Sequence, residues 1–455
     1  MKTASVAATI GERRGVSMAY SLTCAEPVGA LTRPRFARKN IEVTVQTDVY
    51  QHTFPNGLTL LAERMEHVRS AAFHFLIPAG CAFDPPDQLG MGAVLADLLM
   101  RGAGPRNSRQ LTFDLDNLGL DRGEGVGLMH LHLWGATLAR NLPAALDIYA
   151  DILRRPHLPD DELPAVQALA YQDLRALEDE PRSKVSVVLR QHLYPTPLSN
   201  DRRGTAEGIA NITSDAVRRH HQKWFQPDGA ILSVAGNIKW QPLCDQVERM
   251  FGDWQGSADR SLTLGPQPPR RAHVTKDLEQ TQITVAYPSV PIGHPDYYAA
   301  LGAVHVLSSP GGMSSRLFTE IREKRGLCYA VSAGYDTLKD RANVIVYAGT
   351  TNERAQQTLD VLLAELGRLQ EEIEEEEVKR VQAGIKSGLI MQQESTRARA
   401  AFLASDWYYL GRIRSQQEIQ AAIDALSPAV ILDHLHRYPP RDFVIVTLGP
   451  QPLRC

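Results

Sequence analysis

Along the chain, apolar positions fall into two rhythms, one helical and one alternating. Between Gly90 and Gly102 the sequence reads GMGAVLADLLMRG, with Met91, Val94, Leu95, Leu98 and Leu99 at helical spacing. That stripe predicts a buried helix face. Beside it lie Ala93, Ala96 and Asp97, a face that is small and nearly featureless. SRQLTFDLDNLGLD predicts a second helix ending at a glycine, and LPAALDIYADILRRP an amphipathic one stopped by Pro156. A longer helix is expected over Asp160–Glu178, ended by EDEP. Strand patterns appear in SAAFHFLIPAG, LMHLHLWGATL and the buried run GAILSVAGNI. Order is expected to begin near Tyr50, where QHTFPNGLTLLAER reads as strand, Asn-Gly turn, strand.

The same sequence of elements then recurs. TQITVAYPSV reads as a strand, YYAALGAVHVLSS and SSRLFTEIREKRGL as helices, and RDFVIVTLGP as a closing strand. Equivalent positions keep nearly constant offsets: Ser108 and Ser315 are 207 residues apart, Gly92 and Gly302 210, Ala230 and Phe443 213. GAVLADLL echoes GAVHVLSS, and SRQLTFDLDNLGL echoes SRLFTEIREKRGL. A duplicated unit explains this best. The expected fold class is α+β: two tandem homologous α/β domains, each a mixed, mainly antiparallel sheet packed with helices, facing each other across a cleft. The expected divisions are a flexible tail (1–45), a first domain (46–255), a Gly-, Pro- and Arg-rich linker (256–275) and a second domain (276–455).

Composition narrows the class. A chain of 455 residues is too long for one core, and 43% hydrophobic with 22% charged residues is typical of a soluble globular protein. A net charge of −3 gives no reason to expect nucleic acid or an anionic membrane as partner. Cys24, Cys81, Cys244, Cys328 and Cys455 show no CxxC spacing and read as free thiols. No apolar run is long enough to span a bilayer. The basic, acid-poor first 40 residues read as a tail, with an organellar transit peptide as the alternative; Glu12-Arg13-Arg14 interrupts any secretory core. The run EEIEEEEVKR reads as the solvated, acidic start of a long helix.

Two stretches carry candidate chemistry: AGCAFDPPDQLGMGAVLADLLMRGAGPRNSRQL, and SSPGGMSSRLFTEIREKRGLCYAVSAGYD at Ser308–Asp336. With EDEP, FQPDGAILSVAGN and ESTRARAAFLASDWYYLGR they resemble the pitrilysin/insulinase family of zinc metallopeptidases, from about residue 50 to the C-terminus. The resemblance implies repeated α/β units. It also implies a His-x-x-Glu-His helix, with two zinc-binding histidines and a glutamate base, completed by a carboxylate from a downstream helix. Here those positions hold Ala93, Ala96 and Asp97, and the downstream ligand falls on Asp173. Both histidines and the base are missing. Two carboxylates without imidazole make a poor zinc site, and a hard cation such as Mg²⁺ would need further oxygens. No metal ligand and no catalytic residue is therefore expected in this chain alone.

The second stretch keeps the family pattern. The Arg and Tyr by which the family holds substrate and stabilises its oxyanion match Arg322 and Tyr329. Gly311 and Gly312, lacking Cβ, would let backbone approach a peptide closely. His130 and His132 share a strand face and read as structural, with metal binding as the alternative; His220-His221 and His434-x-His436 read as structural or surface residues. No P-loop, Rossmann fingerprint or Gly-x-Ser-x-Gly elbow is present.

By resemblance, then, the chain is expected to be the non-zinc subunit of a heterodimeric metalloendopeptidase. Zn²⁺ would sit in a homologous partner subunit, and unstructured peptides would be the substrates. The cytoplasm is the expected compartment, with periplasm or an organelle as alternatives. A catalytically inactive recognition or scaffold protein, like the α-subunit of the mitochondrial processing peptidase or the bc1 core proteins, is the competing expectation. A homodimeric peptide binder is a third.

Overall fold

Strand-forming runs, most of them rich in Val, Ile, Leu and Phe, assemble into two large sheets in the computed structural model, which describes residues 48–309 and 313–454. The tail expected over 1–45, and Gly311 and Gly312, lie outside the described residues. The first sheet contains β1 (Asp48–Thr53), β2 (Thr59–Arg64), β3 (Ser70–Ile77), β4 (Asp121–Val126), β5 (Leu131–Leu138) and β6 (Ile231–Gly236), in the order β1-β2-β6-β3-β5-β4. The second contains β7 (Arg271–Thr275), β8 (Gln280–Ser289), β9 (Cys328–Thr337), β10 (Ala342–Thr351) and β11 (Val444–Gly449), in the order β9-β10-β8-β11-β7.

These orders are the same order. Without β1, the first sheet reads β2-β6-β3-β5-β4, and the second, taken from its other edge, β7-β11-β8-β10-β9. The senses agree as well: β2 with β6 and β7 with β11 are parallel, and every other pairing is antiparallel. The duplication heard in the sequence is a duplication of topology.

Two expectations need correction. The stretch 256–275 is not linker throughout, because Arg271–Thr275 forms β7. Its half-exposed, Arg-led sequence is that of an edge strand, which hides the alternation of a buried one. SSRLFTEIREKRGL is not a regular α-helix, because Phe318–Glu323 forms a π-helix. Leu317 and Ile321 keep an apolar i, i+4 spacing there, and one widened turn tolerates that spacing.

Helices α1 (Met91–Leu99), α2 (Ser108–Asn117), α3 (Leu142–Arg154) and α4 (Leu163–Asp179) belong to the first repeat, and the apolar faces of α1 and α3 join the core of its sheet. Their neighbour α5 (Pro181–Leu193) does something else. Its Val185, Leu189 and Leu193 pack on Ala286, Val444, Val446 and Leu448 of the second sheet. In the second repeat, α6 (Tyr297–Leu307), α7 (Ala355–Arg368) and α8 (Glu375–Gln393) stay with their own lobe, whereas α9 (Thr396–Leu410) crosses to the first sheet. There Leu403 and Ala404 meet Leu61, Leu76 and Ile231, and Ala400 meets Met65, Ala72 and Ala235.

Polar contacts lock both crossings. Arg399 of α9 donates to Glu63 of β2 from Nε at 2.8 Å and Nη2 at 2.5 Å. Ser233 Oγ donates to the Ala400 carbonyl at 2.7 Å. On the other side, the Tyr194 hydroxyl that follows α5 donates to Asp336 Oδ2 at 2.5 Å and accepts from Asn343 Nδ2 at 2.8 Å. Each lobe thus lends one helix to the other.

Candidate functional site

Helix α1 begins at Gly90, whose φ of +105° suits glycine. The buried carboxylate of Asp84 accepts the Gly90 and Gly92 amides, each at 2.9 Å, and so satisfies donors that a helix start leaves open. This anchor fixes the direction of the featureless face. Ala93, Ala96 and Asp97 line a hollow of about 240 Å³ together with Glu124, Asp173, Arg202 and Arg203. The structure therefore brings Asp97 and Asp173 to one place, as the sequence suggested.

Asp97 has a partner there. Asp97 Oδ1 accepts from Arg101 Nε at 2.8 Å, one turn along the same helix. Ala93 and Ala96 present methyl groups. The hollow desolvates Glu124, and the Asp97 charge opposes a second anion, so the Glu124 pKa is raised. Among the described residues, no group of three or more His, Cys, Asp or Glu side chains is arranged to hold a metal ion. The donor set does not fit zinc. Sequence reasoning missed Glu124 because its strand reads DRGEGVG, where glycines stand in place of the apolar alternation. Nothing in the sequence pattern pointed to Arg202.

Arg322 and Tyr329 lie together on the second lobe. The Arg322 guanidinium sits 4.7 Å from the Phe318 ring centre and 5.1 Å from that of Tyr329. Phe318 and Arg322 share the π-helix, an element often found at functional sites. Tyr329 occupies a β-bulge in the edge strand β9, where the register with β10 slips between Cys328 and Ala330. A bulge of this kind re-aims a side chain, and Tyr329 is 78% exposed. The two residues before it, Leu327 and Cys328, are buried in the core of the second lobe. The result is a fixed cation beside an outward phenol.

A second cavity, about 470 Å³, lies between the lobes. His74, His130 and His132 line it with Leu128, Leu338, Tyr408 and Tyr409, among others. His130 and His132 do share a face, joined by His74, which the sequence did not single out; His74 Nε2 and His132 Nδ1 are 3.2 Å apart. Tyr408 meets the His130 ring edge-on at 4.4 Å. Burial lowers all three pKa values, to about 4 for His74 and about 3 for His130, aided by the charges of Arg397 near His74 and of Arg260 and Lys339 near His130. At neutral pH the cluster is uncharged. His220 is buried and His221 half-buried on a helix elsewhere, His221 bonding the Leu153 carbonyl at 2.9 Å, and His436 bonds the Gln370 carbonyl at 3.1 Å.

The histidines predict acid sensitivity. An unfolded histidine takes its proton near pH 6.5, whereas folded His130 resists protonation until about pH 3. Between those values the unfolded chain binds more protons, so stability is whole above pH 6.5 and is lost as pH falls toward 3. Thermal melts at pH 7 and pH 5 should show a smaller drop in Tm for His130→Phe than for wild type. An equal drop in both would show that His130 does not contribute.

Comparison with known proteins adds the lineage. Residues 59–206 match the family described as Insulinase (Peptidase family M16), and residues 211–385 match the Peptidase M16 inactive domain. The chain belongs to the M16 peptidase family. Similar proteins include one from Rickettsia bellii described as an uncharacterized zinc protease, 25% identical over 88% of this chain and 97% of that one. A Bacillus subtilis protein with the same description is 24% identical over 88% of this chain and 98% of that one. Among solved structures, one from Pseudomonas fluorescens described as a peptidase M16 inactive domain superposes with a TM-score of 0.82 at 19% identity, covering 90% of this chain and 100% of that one. A Helicobacter pylori protease superposes with a TM-score of 0.80, also at 19% identity, covering 89% of this chain and 100% of that one. Among the described residues of this M16 chain, no helix is long and apolar enough to cross a membrane.

Proposed function

We propose that this M16-family chain is the non-zinc subunit of a two-chain metalloendopeptidase. One observation carries the reading. The α1 face that holds zinc donors in the family holds Ala93, Ala96 and an Asp97 tied to Arg101, while a half-buried Arg322 and an exposed Tyr329 sit together on the second lobe. A homologous partner bearing His-x-x-Glu-His would supply the metal. This chain would supply a guanidinium and a phenol to the peptide carbonyl, stabilising negative charge as it develops on oxygen. Unstructured peptides are the substrate class, and the cytoplasm is the proposed compartment.

The test is to purify this chain alone, and again with a homologue that keeps the zinc helix, and to follow cleavage of fluorogenic unstructured peptides. The pair is expected to cleave, with loss of activity in a chelator, and this chain alone is expected to be inert. Chelator-sensitive cleavage by this chain alone would refute the proposal. A pair that binds peptide without cleaving it would favour the recognition or scaffold role.

A further inference from the structure

The two cavities share a wall. Val126 and Arg202 line both the hollow beside α1 and the larger space between the lobes. The strand β4 forms the outer edge of the first sheet, and its Glu124, Gly125 and Val126 run past the hollow toward the larger cavity. An extended peptide lying along that edge would therefore end at the space between the lobes.

The lining of that space says what the end should be. Its volume of about 470 Å³ is in the range that holds a small ligand or a large side chain with its backbone. Leu128, Leu338, Tyr408 and Tyr409 supply apolar and aromatic wall, and the histidines are neutral donors and acceptors. The charges are almost all answered. Asp336 accepts from Tyr194 at 2.5 Å and faces Arg190 at 3.7 Å. Asp201 is held by Arg203, at 3.1 Å to each oxygen. Arg202 is the exception: exposed at the boundary of the two cavities, it has no hydrogen bond or ion pair among the described residues.

We infer that the cavity between the lobes receives the C-terminal residue of a peptide, with a large apolar or aromatic side chain inside and the terminal carboxylate on Arg202. One unanswered cation at the mouth of a neutral, ring-lined space selects an anionic end group over an ammonium, and guanidinium matches carboxylate geometry. The inference rests on the peptide-binding part of the proposed function and needs none of its catalysis.

Fluorescence anisotropy of the whole chain tests it, with a labelled unstructured peptide ending in Phe, as the free acid and as the C-terminal amide. The acid is expected to bind about ten-fold more tightly. Arg202→Glu should remove that preference by weakening the acid and sparing the amide. Ser405→Trp, which fills the cavity from α9, should weaken both. Arg202 is exposed, so its variant keeps the fold even if the cavity-filling one does not, and thermal melts check each. Acid and amide bound alike, or an Arg202→Glu chain that still prefers the acid, would overturn the inference and leave peptide binding standing. If neither peptide binds the wild-type chain, the inference and the peptide-binding reading fall together.

Discussion

Replacing Arg322 with alanine is expected to lower peptide hydrolysis by the assembled pair by roughly 10²–10³-fold, mostly in kcat. The size of the effect follows from where the guanidinium sits. Phe318 and Tyr329 flank it at 4.7 and 5.1 Å, so its charge is held in one place before substrate arrives, and little reorganisation is needed as an oxyanion forms. A charge that acts on a developing oxyanion works more in the transition state than in the ground state, which is why kcat should fall more than KM rises. Tyr329→Phe keeps the ring against Arg322 and removes only the hydroxyl, so a smaller loss, about ten-fold, is expected. Steady-state kinetics of the pair with each variant, and circular dichroism to verify folding, decide the matter. Unchanged kcat/KM in Arg322→Ala would remove the role assigned to this subunit.

The largest effect on stability is expected at Arg399. Its side chain is 13% exposed and that of its partner Glu63 4%, and the two join α9 to the first sheet. Arg399→Met would leave the Glu63 carboxylate buried without its cation, at a cost of about 3–5 kcal/mol. Urea denaturation should show that loss as a lower midpoint. The double variant Glu63→Leu/Arg399→Met should recover most of it, because the penalty lies in the orphaned charge rather than in the absent attraction. If the single and double variants are equally unstable, stacking of the Arg399 guanidinium on Phe402, 4.8 Å from the ring centre, is the larger contribution.

Much of this could be read from residue order. The constant offset between Gly92 and Gly302 and between Ala230 and Phe443 reports a repeat directly, because equivalent strands must begin at equivalent points for the sheets to share an order. The bare side chains on α1 were equally legible: Ala93 and Ala96 offer no metal ligand in any fold. What escaped were features defined across the chain. Glycines 123 and 125 conceal an edge strand, since pairing on one side only needs little apolar surface. His74 joins His132 only because β3 lies beside β5. Nor does α5 or α9 look different from a helix that stays at home. Val185 and Leu189, or Ala400 and Leu403, are buried stripes either way, and local spacing does not say which sheet they meet.

That exchange of α5 and α9 bears on how substrate gets in. A jaw that gaped between the two halves of one polypeptide would have to strip a helix from each sheet at once, exposing both apolar faces and separating Arg399 from Glu63 and Tyr194 from Asp336. The two halves of the chain are thus clasped like linked hands. In the proposed two-chain enzyme, a peptide would then be admitted by separation of whole subunits, and the rate of that separation, not a hinge within this chain, would set how quickly new substrate is taken up.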